Sequence, residues 1–172
     1  MSYCIIIRGP LGVGKTTVAR ALAEQLDAHY ISIDAVLDAH DLAHSDGECI
    51  PVENFVRANE LAWPQVQAAL AAGQVVIFDG NFYHQPQLAH LEQLVAVPVY
   101  GFTLKAPLSV CVARDSQRAQ VYGVGAATAV YNLVARVEYG IPIDSTGQTL
   151  PQTVAAIAEH LPRLRTKVRG TA

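Results

Sequence analysis

Cysteine is scarce in this sequence: the 172 residues include only three, at positions 4, 49 and 111. An odd number of cysteines cannot pair completely, and their spacing matches no metal-binding motif. We therefore expect neither a disulfide framework nor a cysteine-based zinc site. Cys4 and Cys111 lie in apolar segments, so we expect buried thiols and a reducing compartment, the cytoplasm.

Long apolar runs and positive charge are also lacking. No stretch of about 20 apolar residues could span a bilayer, and no signal peptide precedes the first predicted strand, so we expect no membrane association. The net charge is −3, which provides no overall field to attract nucleic acid. The basic residues that collect in the segment 163–172 are interpreted as a solvated C-terminal tail.

What the sequence does contain is a hydrophobic fraction of 51%, in a chain long enough for one sizeable core. We predict a single domain over residues 1–162. Short apolar segments are predicted as strands at 3–7, 29–34, 75–79, 97–104 and 141–144. Helices are predicted at 18–26, 52–72, 86–95, 107–120, 126–139 and 150–161. Strands that alternate with helices indicate an α/β fold with a parallel sheet and right-handed crossovers.

The most informative stretch follows the first predicted strand. Residues Gly9–Thr16 read Gly-Pro-Leu-Gly-Val-Gly-Lys-Thr and fit G-x-x-x-x-G-K-[ST], the phosphate-binding P-loop. A strand before the motif and a helix after it supply the context that a P-loop requires. This context strongly disfavours the alternative of a chance glycine-rich turn.

Each residue type in this loop has a physical role. The glycines leave room for backbone N–H groups to surround an anion, and the following helix directs its free N–H groups at the same phosphates. Lys15 is expected at the β- and γ-phosphates of ATP, and the Thr16 hydroxyl at Mg²⁺. The predicted nucleotide-binding set is Gly9, Gly12, Val13, Gly14, Lys15, Thr16 and Thr17.

Two acids end later predicted strands: Asp34 closes the second and Asp79 closes the third. Ligands of a parallel α/β sheet bind at the carboxyl ends of its strands, where the P-loop also lies. One cleft can therefore hold both acids and the loop. The alternative is that either acid is a helix-cap or turn residue.

These features resemble the small P-loop kinases of the nucleoside-monophosphate-kinase type, and most of all the branch with polynucleotide 5′-kinase, seryl-tRNA kinase and chloramphenicol phosphotransferase. The resemblance covers nearly the whole chain. It is carried by Gly9–Thr17, Ile33-Asp34, Phe78-Asp79-Gly80-Asn81, Arg114-Asp115-Ser116-Gln117-Arg118 and Ile143-Asp144-Ser145-Thr146-Gly147. It implies a P-loop NTPase three-layer sandwich with strand order 2-3-1-4-5 and a short lid at about residues 114–126.

The resemblance also implies roles for the polar residues after the strands. Asp34 would accept the proton of an acceptor hydroxyl and orient its oxygen toward the γ-phosphate. Asp79 would hold the Mg²⁺ shell, directly or through water. Asn81 would contact the acceptor. Tyr83 and His84 stand where adenylate kinases would place an arginine, which weakens the case for a nucleoside monophosphate as acceptor.

Arg114 and Arg118 lie four residues apart on one predicted helix and would share a face of it. The resemblance places such arginines at the start of the lid, where a guanidinium group suits the charge of the transferring phosphoryl group. Gly123 and Gly125 could serve as lid hinges. The alternative is a pair of solvated arginines, one of them paired with Asp115 or Glu138.

The sequence thus predicts an ATP- and Mg²⁺-dependent phosphotransferase that acts on a hydroxyl of a small-molecule acceptor. An RNA or DNA end is the second possibility for the acceptor, and an ATPase or nucleotide-binding switch without an acceptor is the third. A shikimate kinase is less favoured, because Ser32-Ile33-Asp34 stands where that family carries paired acids. The identity of the acceptor and the oligomeric state stay open.

Overall fold

The computed structural model of the chain describes residues 2–47, 49–117 and 121–162. Over these ranges the chain forms five strands and seven helices. The strands are β1 (Cys4–Arg8), β2 (His29–Ser32), β3 (Val76–Gly80), β4 (Val99–Lys105) and β5 (Ile141–Asp144). The helices are α1 (Lys15–Leu26), α2 (Ile33–Ala39), α3 (Val52–Ala71), α4 (Gln85–Val95), α5 (Leu108–Asp115), α6 (Gly123–Ala135) and α7 (Leu150–Ala158). Arg118 and the predicted tail at 163–172 lie outside the described residues.

The five strands pair in parallel in the order β2-β3-β1-β4-β5, which confirms the predicted order. β1 lies at the centre, where Ile5 is level with Ile77 of β3 and Tyr100 of β4. The strand order changes direction beside β1, and ligands of such sheets bind in the crevice at the carboxyl ends. The P-loop follows β1 directly, so the topology positions it at that crevice.

Side chains of β1 alternate between two apolar layers, because successive residues of a strand point to opposite faces of the sheet. Cys4 and Ile6 pack in a core formed mainly with α3 and α4. Ile5 and Ile7 pack in a second core with α1 and α7. Helices on both faces of the sheet confirm the predicted three-layer sandwich. Both Cys4 and Cys111 are buried free thiols, as expected.

No helix formed by the described ranges is long and apolar enough to cross a membrane.

The predicted end of the second strand is wrong. β2 stops at Ser32, because the Ser32 side chain caps α2 by accepting a hydrogen bond from the backbone N–H of Ala35 at 3.2 Å. Asp34 therefore lies in the first turn of α2 rather than at the end of a strand. A carboxylate in this position interacts favourably with the positive end of the helix dipole.

The predicted helix 107–120 is also wrong at its end, because α5 stops at Asp115. The Ser116 hydroxyl donates to the carbonyl of Ala113 at 2.8 Å, which competes with the helical hydrogen bonds. The Asp115 carboxylate accepts from the backbone N–H groups of Tyr122 and Gly123 at 3.1 and 3.0 Å. These bonds start α6 at residue 123, three residues before the predicted start.

Arg8, the last residue of β1, is fully buried on the α3 and α4 side of the sheet. Its guanidinium donates to the carbonyl oxygens of Phe82, Val134 and Val137 and to the hydroxyl of Thr103, at 2.8 to 3.1 Å. Burial lowers the pKa of Arg8 to about 10. Arg8 thereby joins the strand that carries the P-loop to the loop after β3 and to the end of α6.

Replacing this arginine should destabilise the fold. Arg8→Met keeps an unbranched side chain but removes four hydrogen bonds, to three carbonyl groups and to the Thr103 hydroxyl, so we expect a loss of at least about 3 kcal/mol in the free energy of unfolding. Urea denaturation would measure it. Arg57→Met is the control, because Arg57 is exposed and bonds Glu60 within one helix, and its loss should cost under about 0.5 kcal/mol. Equal stabilities of the two variants would contradict the assignment.

Candidate active site

The P-loop closely approaches α5. Gly12 has a φ of 76°, and a Cβ at this position would collide with the carbonyl of Cys111. Gly14 caps α1 with a φ of 103°, so the helix begins at Lys15 with its free N–H groups directed at the loop. Glycine adopts such left-handed conformations without strain. The loop has the shape that an anion bound at a helix N-terminus requires.

A cleft of about 230 Å³ opens at this loop. The predicted site residues in its wall are Gly12, Gly14, Lys15, Thr16, Thr17, Asp34 and Arg114, and Leu11 and Tyr122 complete the wall. Lys15 is largely buried, and its Nζ donates to the carbonyl of Pro10 at 3.0 Å. The structure therefore brings the loop, the acid of α2 and one lid arginine to a single cleft.

Asp34 faces this cleft from the first turn of α2. It is half-buried, and loss of solvent raises the pKa of its carboxyl group from an ordinary 3.8 to about 6. Lys15 opposes this rise, whereas the charges of Asp79 and Asp38 add to it. Asp34 is not the cap of α2, because Ser32 has that role. The Asp34 carboxylate therefore does not cap the helix, and its surroundings are the charged groups of Lys15, Asp79 and Asp38.

Asp79 lies in β3 beside Ser32 of β2 and is 2% exposed. Its Oδ2 accepts a hydrogen bond from the Tyr30 hydroxyl at 2.9 Å. Burial, and then the charge of Asp79, raise the pKa of Tyr30, so the phenol stays a donor. Oδ1 of Asp79 is buried and has no hydrogen-bond partner among the described residues.

The oxygen atoms of Asp79 and Thr16 are of the kinds that bind Mg²⁺, which prefers carboxylate and hydroxyl oxygens together with water and phosphate. The unsatisfied Oδ1 of Asp79 is an oxygen that a metal ion or a metal-bound water can use. Thr16 presents an exposed hydroxyl in the wall of the cleft. Tyr30 was missed from the sequence. The pairing of β2 with β3 would have found it. Ser32 of β2 lies beside Asp79 of β3, and Tyr30, two residues before Ser32, lies on the same face of the sheet.

Arg114 connects the P-loop to the turn after β5. Its guanidinium donates to the carbonyl of Val13 at 3.1 Å and to the hydroxyl and carbonyl of Ser145 at 3.2 and 3.1 Å. The Ser145 hydroxyl also donates to Val13. Arg114 is therefore neither solvated nor paired with Asp115 or Glu138. The alternative of a free surface arginine is wrong for this residue.

α5 ends at Asp115, directly after Arg114. Arg118 itself lies outside the described residues. Asp115 instead joins the two described ends of the predicted lid, by accepting from Tyr122 and Gly123. Gly123 adopts a φ of 88°, a conformation that suits a turn or a hinge.

Residues of the loop after β3 complete the other side of the site. Asn81 Nδ2 lies 3.5 Å from Oδ2 of Asp34, at the long limit of a hydrogen bond. The Tyr83 hydroxyl accepts from the backbone N–H of Ile50 at 3.2 Å, and Nε2 of His84 hydrogen-bonds to the Ile50 carbonyl at 2.8 Å. Tyr83 and His84 thus hold the chain before α3 in place.

The raised pKa of Asp34 predicts a pH-dependent cost to stability. Above about pH 6 the desolvated carboxylate is ionised and disfavours the folded state, whereas below pH 3.8 it is protonated in both states. Asp34→Asn should therefore be more stable than the parent at pH 8, by at most about 3 kcal/mol. This advantage should shrink as the pH falls through 6. Chemical denaturation at several pH values measures it, and a parent that is the more stable protein at pH 8 would contradict the assignment.

Comparison with known proteins agrees with this geometry. Shikimate kinase 2 of Escherichia fergusonii is 28% identical over 158 residues, which cover 91% of this chain and 74% of that enzyme. A sugar kinase from a Janibacter species superposes with a TM-score of 0.72 at 20% identity, over 92% of this chain and 94% of that one. The tunicamycin resistance protein of Deinococcus radiodurans superposes with a TM-score of 0.68 at 24% identity, over 92% and 95%. At such identities the two structures establish the fold.

Residues 4–136 match the family model AAA_33, described as an AAA domain. The match runs from β1 through the P-loop, Asp34, Asp79 and Arg114 to the end of α6. The five-stranded sheet and the strand order are those of the P-loop kinase fold. The chain therefore belongs to the AAA_33 family of AAA domains and is a small P-loop kinase.

Proposed function

We propose that this protein transfers the γ-phosphate of ATP to a hydroxyl group of a small molecule. The observation that carries the proposal is the position of Asp34. Its carboxylate faces the same 230 Å³ cleft as Lys15 and Thr16 of the P-loop. A pKa of about 6 leaves this carboxylate ionised at neutral pH, yet much closer to the operating pH than an ordinary aspartate, as a general base requires.

The nucleotide half of the site would bind the triphosphate. Backbone N–H groups of the loop at Gly12 and Gly14 would surround the β-phosphate, and the dipole of α1 would favour its charge. Lys15 would leave the Pro10 carbonyl and turn to the β- and γ-phosphates. Arg114 would hold the loop in shape through Val13 and Ser145, close to the phosphates.

In the transfer step, Asp34 would accept the proton of the acceptor hydroxyl while that oxygen forms a bond to the γ-phosphorus. The bond from the γ-phosphorus to the β–γ bridging oxygen breaks, and ADP leaves with that oxygen. Asn81, next to Asp34, would orient the acceptor. Positioning of this kind and electrostatic stabilisation supply most of the catalysis in phosphoryl transfer.

A bound Mg²⁺ would neutralise charge on the β- and γ-phosphates. Thr16 and Asp79 are the residues that would hold it, Asp79 directly or through water. The Tyr30 hydroxyl fixes Oδ2 of Asp79, and this bond would keep Oδ1 directed at the metal shell. Tyr30 is therefore a positioning residue in this account, since it would act only through Asp79.

A small-molecule acceptor is favoured over a nucleic acid by the net charge of −3. The related proteins named above include a shikimate kinase and a sugar kinase, both enzymes of small hydroxyl compounds by name. Shikimate itself is not favoured, because Ser32 caps α2 at the position where paired acids would put a second carboxylate. The relatives thus support the class of reaction more than a particular acceptor.

The test combines an acceptor screen with one substitution. Labelled ATP is offered with sugars, polyols, amino alcohols, nucleosides, and RNA and DNA ends. We expect a small hydroxyl compound to be labelled, and Asp34→Asn to lower that transfer by at least about 100-fold. The dissociation constant of ATP, measured by calorimetry, should change by less than about tenfold.

Asp27→Asn is the matched control, because Asp27 is an exposed acid at the end of α1 and away from the cleft. It should keep full transfer. Labelling of nucleic-acid ends alone would overturn the small-molecule acceptor. Full transfer by Asp34→Asn would remove Asp34 as the base, and ATP hydrolysis with no labelled acceptor would favour an ATPase.

A further inference from the structure

Charge is divided unequally along this chain. Residues 21–104 contain eleven Asp and Glu residues but a single Lys or Arg, which is Arg57. With histidine neutral, this segment carries a charge of −10. The rest of the chain carries eleven Lys and Arg residues against four acids, a charge of +7. The overall value of −3 therefore conceals two oppositely charged parts.

The acidic part is the one that forms the acceptor side of the site. Residues 21–104 include β2, α2, α3, β3 and α4, and with them Asp34, Asp79 and Asn81. The basic part supplies the P-loop lysine and Arg114, which line the cleft where the phosphates would bind. ATP and its acceptor would thus meet surfaces of opposite charge.

The single cation of the acidic part is already engaged. Arg57 lies on α3 with a side chain that is 60% exposed, and it bonds Glu60 at 2.9 Å. Tyr83 and His84, in the loop after β3, are bonded to the backbone of Ile50. Within the described part of residues 21–104, no Lys or Arg remains for a carboxylate or a phosphate of the acceptor.

A second observation concerns Asn81, which is 9% exposed. Its amide nitrogen faces the Asp34 carboxylate, because a carboxylate accepts hydrogen bonds. The amide oxygen is therefore left over, and it is buried with no partner among the described residues. An oxygen in this state needs a donor. A protonated amine supplies three N–H donors and a positive charge, whereas a carboxylate or phosphate supplies neither.

We propose that the acceptor is a hydroxyl compound that also carries a protonated amine, such as an amino alcohol or an amino sugar. This inference rests on the proposed phosphotransferase function. The amine binds and keeps its proton, and the hydroxyl is the group that is phosphorylated. The charge of −10 is spread over the segment that carries Asp34 and Asn81. A field of this sign raises the local concentration of cations, so the field and the amide oxygen favour the same class of ligand.

The first test uses compounds of similar size and different charge. Each set contains an amine, a neutral compound and an anion. The first set is ethanolamine, ethylene glycol and glycolate, and the second is glucosamine, glucose and gluconate. Transfer from labelled ATP and binding by ligand-observed NMR in the presence of ADP and Mg²⁺ are measured for every compound. We expect the amine of at least one set to exceed its neutral and anionic partners by about tenfold or more in kcat/KM or in affinity.

The second test changes the field by one charge, and the neutral acceptor controls for the effect of Asp38 on the Asp34 carboxyl group. Asp38→Asn removes an exposed charge one turn after Asp34 on α2. It should raise the KM of the amine substrate by about twofold to fivefold at low salt and leave that of a neutral acceptor unchanged. Glu159→Gln, an equal change in the basic part of the chain after α7, is the control and should alter neither value.

Preference for a neutral or anionic member in both sets overturns the proposal, and so does the absence of binding and transfer for both amines. In those cases ATP binding and phosphorylation of another hydroxyl compound would show that the proposed phosphotransferase function still holds. If ATP does not bind at all, the proposed function itself fails, so the two failures are distinguishable.

Discussion

The buried guanidinium of Arg8 is the interaction on which the arrangement of the site depends. It ends the central strand, and the P-loop begins at the next residue. Its hydrogen bonds reach the Phe82 carbonyl of the loop that carries Asn81, the Thr103 hydroxyl of β4, a carbonyl in the last turn of α6 and one just after it. Arg8 therefore ties the strand before the P-loop to the loop that carries Asn81, to β4 and to the chain at the end of α6. All four partners are neutral groups, so hydrogen bonds rather than an ion pair hold the guanidinium.

The site itself keeps polar groups that are not satisfied within the protein. The Asp34 carboxyl group has lost solvent, and Oδ1 of Asp79 and Oδ1 of Asn81 are buried without a hydrogen-bond partner among the described residues. Buried groups of this kind cost stability. The groups of Asp34, Asp79 and Asn81 lie where nucleotide, metal and acceptor would meet, and each would gain a partner from a bound ligand. The binding of charged and polar ligands at this place therefore explains the local loss of stability.

The sequence was sufficient for the features that depend on local pattern. The P-loop, the strand of Asp79 and the closing strand Ile141–Asp144 follow from glycine spacing and short apolar runs, and the strand order follows from the resemblance. Features that depend on distant partners could not be predicted. From the sequence, Arg8 is only a charged residue at the end of a strand. Its buried position depends on the carbonyls of Val134 and Val137, which are far away along the chain. The early start of α6 depends on Asp115 bonding to residues 122 and 123, beyond the helix that carries it. The helical position of Asp34 is different, because its cause is local: the cap at Ser32 interrupts a run that otherwise reads as a strand.

The central claim is that Asp34 and Asp79 converge on the γ-phosphate of a nucleotide held by the P-loop. A crystal structure with Mg²⁺ and a non-hydrolysable ATP analogue tests it most directly. The account predicts a metal ion held by the Thr16 hydroxyl, with Oδ1 of Asp79 at the ion or at a water bound to it. It also predicts the Asp34 carboxylate on the open side of the γ-phosphate, in line with the bond that breaks. A triphosphate bound away from Lys15, or an Asp34 side chain turned away from the γ-phosphate, would contradict it.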